Sequence, residues 1–113
     1  MYVLTVSKNL IVSDKIGSIA RSYGLDVVAR TGDEAIAKAE IAKPAIIVVD
    51  LEGSQGFLEK LKISGISSLV LGFYPHMKAE IKRSAENLGY TNIFPNSMME
   101  VKVKEFLEKL TNA

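Results

Sequence analysis

The chain contains no cysteine. That excludes disulfides, thiolate nucleophiles and zinc sites built on sulfur. It also lacks a surplus of either charge: the formal net charge is +1 over 113 residues. A protein so balanced carries no electrostatic footprint for nucleic acid or for an anionic membrane surface. No apolar run approaches the roughly 18 residues needed to cross a bilayer. The opening MYVLTVSKNL has neither the basic flank nor the apolar core of a signal peptide. Linkers, low-complexity stretches and internal repeats are missing as well. These absences point to a single domain over residues 1–113, cytoplasmic, with no membrane and no nucleic-acid partner. The composition, 48% hydrophobic against 24% charged, suits a packed core rather than a disordered chain.

What is present alternates between two patterns. Tyr2 to Ser7, Leu25 to Arg30, Ala45 to Leu51, Ser68 to Phe73 and Asn92 to Phe94 are short and rich in β-branched or aromatic residues, which predicts strands. The third and fourth are almost wholly apolar, as strands covered on both faces must be. Between them apolar residues recur at helical spacing. Ile16, Ile19, Ala20 and Tyr23 form one stripe; Ala35, Ile36, Ala39 and Ala42 a second; Phe57, Leu58 and Leu61 a third. Met77, Ile81, Ala85 and Leu88 form a fourth, and Met99, Val103, Phe106, Leu107 and Leu110 the fifth. Gly24 and Gly89 stand where helices end, and Pro44 closes the second. Ser97 with Glu100 reads as a capping box for the last helix, and Thr31 or Asp33 as a cap for the second.

Five strands alternating with five helices through short connections force parallel pairing and right-handed crossovers. The expectation is an α/β, flavodoxin-like (βα)5 three-layer sandwich, its five-stranded parallel sheet in the order 2-1-3-4-5. Sites in such sheets lie beyond the carboxyl ends of the strands, near the switch between strands one and three. That selects Ser7, Lys8 and Asn9, then Asp50 to Gly53, then Gly72 to His76, and finally Asn96 and Ser97.

Three stretches resemble the receiver domain of two-component response regulators, over nearly the whole length. VVDLEG, Val48 to Gly53, looks like the motif in which an Asp ending the third strand accepts a phosphoryl group. LGYTNIF, Leu88 to Phe94, looks like the stretch that enters the fifth strand. The spacing from Ser7 to Gly24 matches that from the first-strand lip to the glycine after the first helix. The resemblance implies a signalling module of a two-component system, and it implies a set of groups around Asp50. Receivers hold Mg²⁺ with two acids after the first strand plus the acceptor Asp; here those positions are Ser7 and Lys8. They place a Lys and a Pro after the fifth strand; here stand Asn96 and Ser97. The switch hydroxyl at the end of the fourth strand falls on Gly72, Phe73 or Tyr74. Phosphoryl transfer to a carboxylate is mostly charge management by metal and cations, and Mg²⁺ wants hard oxygen ligands.

The expectation is therefore a degenerate pseudo-receiver without metal, cofactor or catalysis of its own phosphorylation. Its vestigial site comprises Asp50, Lys8, Ser7, Glu52 and Asn96. Lys8 is expected to face Asp50 and to satisfy the charge that Mg²⁺ otherwise would. Glu52 reads either as a solvated loop residue or as a first-turn helix acid. Its output would be contact with a protein partner or a second copy through the fourth helix, fifth strand and fifth helix, where Met98 and Val101 fall off the core stripe and Tyr90 and Phe94 lie close by. Two rival readings remain: an atypical phosphoacceptor regulator using Asp50, and a small-ligand sensor with a rim pocket between Ser7, Asp50 and Gly72. His76 lacks an activated nucleophile near it in sequence and reads as a loop residue. GSQG, Gly53 to Gly56, lacks the Lys of a phosphate-binding loop, and SKNLIVSD lacks the Ser/Thr-rich pattern of flavin-binding loops.

Overall fold

The structure, a computed structural model, describes residues 1–54 and 56–112. Gln55, within the GSQG stretch, lies outside them. The elements run β1 (Tyr2–Val6), α1 (Leu10–Ser22), β2 (Asp26–Arg30), α2 (Gly32–Ile41), β3 (Ile46–Asp50) and α3 (Phe57–Ile63). They continue with β4 (Leu69–Tyr74), α4 (Ala79–Asn87), β5 (Ile93–Pro95), a 3₁₀ turn (Asn96–Met98) and α5 (Met99–Thr111). All strands pair in parallel in one sheet of order β2-β1-β3-β4-β5. This is the flavodoxin-like arrangement expected from the alternating patterns.

Side chains alternate across each strand, so the sheet has two buried faces. Leu4, Val6, Ile47, Val49 and Val70 meet α2, α3 and α4 through Ala35, Ile36, Leu58, Leu61 and Ala85. On the other face Val3, Ile46, Val48, Leu71 and Phe73 meet α1 and α5 through Ile16, Ile19, Ala20, Val103 and Leu107. The central strands β1, β3 and β4 supply most of this burial, at about 1.5–3 kcal/mol for each fully covered aliphatic or aromatic side chain. No helix among the described residues is long and apolar enough to cross a membrane.

Helix ends follow local chemistry, with four departures from the sequence pattern. Gly24 (φ 76°) and Gly89 (φ 98°) occupy the left-handed region where α1 and α4 end, as helix-terminating glycines do. Ser97 does not cap α5. An N-cap needs extended backbone, but the chain turns into a 3₁₀ helix at Asn96, and the extended residue there is Pro95. Glu100 instead pairs with Lys15 of α1 at 2.8 Å. Thr31 is extended before α2, yet its hydroxyl makes no capping bond, and Asp33 is held by Lys60 at 3.0 Å. Met77 is not on the α4 stripe. The Lys78 amide donates to the Pro75 carbonyl at 2.8 Å, a turn that delays the helix to Ala79 and leaves Met77 exposed. Ala42 ends α2 in extended, exposed backbone and faces solvent rather than the core.

Candidate functional site

The register of β1 against β3 decides which side chain meets Asp50. Val6 is level with Val49, so one residue further on Ser7 stands beside Asp50 and Lys8 falls out of step with it. The buried Ser7 hydroxyl donates to Asp50 Oδ2 at 2.9 Å. The Glu52 amide donates to Asp50 Oδ1 at 3.2 Å, an Asx-type contact that shapes the β3–α3 turn. Both oxygens of this half-buried carboxylate thus have partners within the fold. Ser7 in turn accepts from the Asn9 amide at 3.0 Å. Asn9 Oδ1 accepts from the amides of Ile11 and Val12 at 3.0 and 3.3 Å, which caps α1.

The expected Lys8–Asp50 pair is not formed. Among the described residues no ion pair within 4.0 Å joins them. The register of β1 against β3 sets one place directly beside Asp50 Oδ2. Ser7 takes that place, and Lys8 lines a small depression of about 120 Å³ with Thr31, Gly53, Phe57 and Lys60. Glu52 is in the exposed turn before α3, not in its first turn, and its carboxylate takes Lys78 at 2.7 Å. That hydrogen bond and the Glu52 charge hold the Lys78 ammonium above its ordinary pKa. Asn96 and Ser97 lie exposed in the 3₁₀ turn, and His76 is exposed in the turn after β4. Among the described residues no three His, Asp or Glu side chains gather closely enough to hold a metal ion.

At the rim where a pocket is expected between Ser7, Asp50 and Gly72, the space beside Gly72 is closely packed. Gly72 is buried, and a Cβ there would lie 2.8 Å from Ile93 Cδ1 and 3.1 Å from Leu51 Cδ1. Those two side chains occupy the space a switch hydroxyl would need. Phe73 and Tyr74 are buried too. A cavity lies between α3 and α4.

On the α4–β5–α5 side, Val101 is 60% exposed and Met98 37%. Tyr90 and Phe94 are half-buried and turn to opposite layers. The Tyr90 hydroxyl donates to the Leu58 carbonyl at 3.2 Å, and burial pushes its pKa up. Phe94 packs on Phe73 with ring centroids 6.5 Å apart, under the Lys102 ammonium at 4.7 Å. Leu10 and Ile11 at the start of α1 are both more than three-quarters exposed. They escape a reading based on core periodicity, although Asn9 directly before them is an N-cap residue type and marks where the helix begins.

No protein-family model matches the sequence, and no curated protein matches it. Solved structures do match. A response regulator from Thermotoga maritima superposes with TM-score 0.78 at 14% identity, over 99% of this chain and 98% of that one. The REC domain of AraT, a response regulator from Geobacillus stearothermophilus, superposes with TM-score 0.70 at 20% identity, over 96% of this chain and 95% of that one. A third, a trimeric coiled-coil segment of yeast Spc42 fused to another protein, gives TM-score 0.70 at 19% identity over 98% of this chain. A coiled coil has no strands, so its α/β fusion partner carries that likeness. The chain has the fold of response-regulator receiver domains.

Proposed function

We propose that this chain is a pseudo-receiver: a cytoplasmic signalling or regulatory module that works by protein contact and does not take up phosphate at Asp50. The Ser7–Asp50 hydrogen bond is the observation that carries this reading. It puts a neutral hydroxyl where the receiver resemblance implies a metal-binding acid, and Lys8 follows where the second acid would stand. A receiver-type phosphoryl transfer needs divalent charge beside the acceptor oxygen. At this rim the carboxylate is already engaged by Ser7 and by the Glu52 amide. The output is a surface of α4, β5 and α5 centred on Met98 and Val101, offered to a protein partner or to a second copy of the chain.

Incubation with an acyl phosphate and Mg²⁺, followed by intact mass measurement, tests the first half. The mass is expected to stay unchanged, and stoichiometric addition of one phosphate overturns it. Light scattering across a concentration series, with capture by the immobilised chain, tests the second. Loss of self-association or of capture in Val101→Glu, with the fold intact by circular dichroism, supports the α5 surface. Unchanged association places the contact elsewhere.

A further inference from the structure

The cleft between α3 and α4 has the size, floor and charge of a small-molecule site. It encloses about 410 Å³, within the roughly 300–1,000 Å³ that such sites occupy. Its origin is legible in the residues that face it. Ser54, Gly56 and Ser84 are too small to fill the space, and Ala85 is the buried contact of α4 with the core. The floor is apolar: Leu51, Leu58, Ile81, Ala85 and Leu88.

Two lysines bridge the cleft at its ends. At the carboxyl rim of the sheet Lys78 reaches the Glu52 carboxylate at 2.7 Å. At the far end Lys62 of α3 donates to the carbonyl of Leu88, which closes α4, at 2.6 Å. An extended peptide or a helix running along the groove would have to break both bridges. A compact ligand would not. Glu59 on α3 and Glu80 on α4 line opposite walls, and among the described residues neither has an ion-pair partner within 4.0 Å. With Glu52 paired to Lys78, the walls carry the Glu59 and Glu80 carboxylates over an apolar floor, and the Lys62 ammonium stands at the far end.

We propose that the α3–α4 cleft binds a small amphipathic amine, its ring or branched chain on Leu58, Ile81 and Ala85 and its ammonium between Glu59 and Glu80. The site is separate from Asp50 and does not depend on whether Asp50 is ever modified. Because Glu52 lines this cleft and also donates its amide to Asp50, an occupant lies next to the β3–α3 turn.

The test is a titration of the ¹⁵N-labelled full chain with 4-phenylbutylamine, compared with 4-phenylbutan-1-ol and 4-phenylbutyrate. The amine is expected to shift the amides of Leu58, Ser84 and Ala85 saturably, the alcohol more weakly and the carboxylate least. Ser84→Phe, which fills the cleft from an exposed position, is expected to abolish the shifts. Glu59→Gln and Glu80→Gln are each expected to weaken binding about three-fold, and they keep the test decisive if Ser84→Phe fails to fold. Equal binding of alcohol and amine overturns the proposal, as does a shift pattern outside the cleft or no saturation. The same amides shifting with protein concentration alone would assign the cleft to a second copy and overturn it too.

Discussion

Ser7 Oγ lies 2.9 Å from Asp50 Oδ2, and this contact joins the ends of β1 and β3 at the switch point of the sheet. Removing the hydroxyl leaves a half-buried carboxylate oxygen without its donor. Ser7→Ala is expected to cost about 1.5–3 kcal/mol, the range for hydrogen bonds to charged groups, measured by urea denaturation near neutral pH. A change within experimental error would show that water replaces the hydroxyl freely.

On the pseudo-receiver reading, supplying receiver-type groups at this rim should confer metal binding. In the variant Ser7→Asp, Lys8→Asp, Asn96→Lys, acids replace the hydroxyl and ammonium after β1, and a cation follows β5. A Mg²⁺ titration followed by NMR is expected to saturate in this variant, with the largest shifts around Asp50, and to leave the parent unmoved. Saturation in the parent at the same amides would refute the pseudo-receiver reading.

Gly72 is constrained by its neighbours rather than by its backbone. Gly72→Ala drives a methyl toward Ile93 Cδ1 and Leu51 Cδ1 and is expected to cost about 1–3 kcal/mol as overpacking. A switch hydroxyl introduced as Gly72→Thr is expected to cost more, since its larger side chain meets the same walls. Chemical denaturation of both variants checks the order.

Asn9, which caps α1, and Ser97, which caps nothing at α5, should differ in what their loss costs. Asn9→Ala removes an acceptor used by two amides of α1 and is expected to lose about 1 kcal/mol. Ser97→Ala touches no capping bond and is expected to stay within about 0.5 kcal/mol of the parent. Equal losses would mean that the start of α5 is capped after all.

Acid should weaken the α1–α5 seam. The hydrogen bond from Lys15, and then its charge, lower the pKa of Glu100 below its ordinary value. A carboxylate whose pKa is depressed by folding contributes stability above its unfolded pKa and loses it as the pH falls through the folded value. Stability is therefore expected to drop on acidification below the usual carboxylate range. The drop should be smaller in Glu100→Gln and in high salt, since the pair is exposed and screened. Denaturation midpoints at neutral and acid pH, with and without salt, measure it.

The β-branched runs at Tyr2, Ala45 and Ser68, the helical stripes between them and the short connections left one architecture available, because parallel strands joined by helices cross over in one hand. Asp50 at the lip of β3 followed from the same reading, since an acid ending an apolar strand must reach the rim. What local pattern could not decide was which neighbour Asp50 meets. That depends on the register of β1 against β3, a relation between residues 43 apart in sequence, and it chose Ser7 over Lys8. In the same way the packing of Leu51 and Ile93 closed the space beside Gly72, and the loose approach of α4 to α3 opened a cleft elsewhere. Periodicity reports which face of an element is buried; which side chains then touch, and where space is left over, is settled only when separate elements pack against one another.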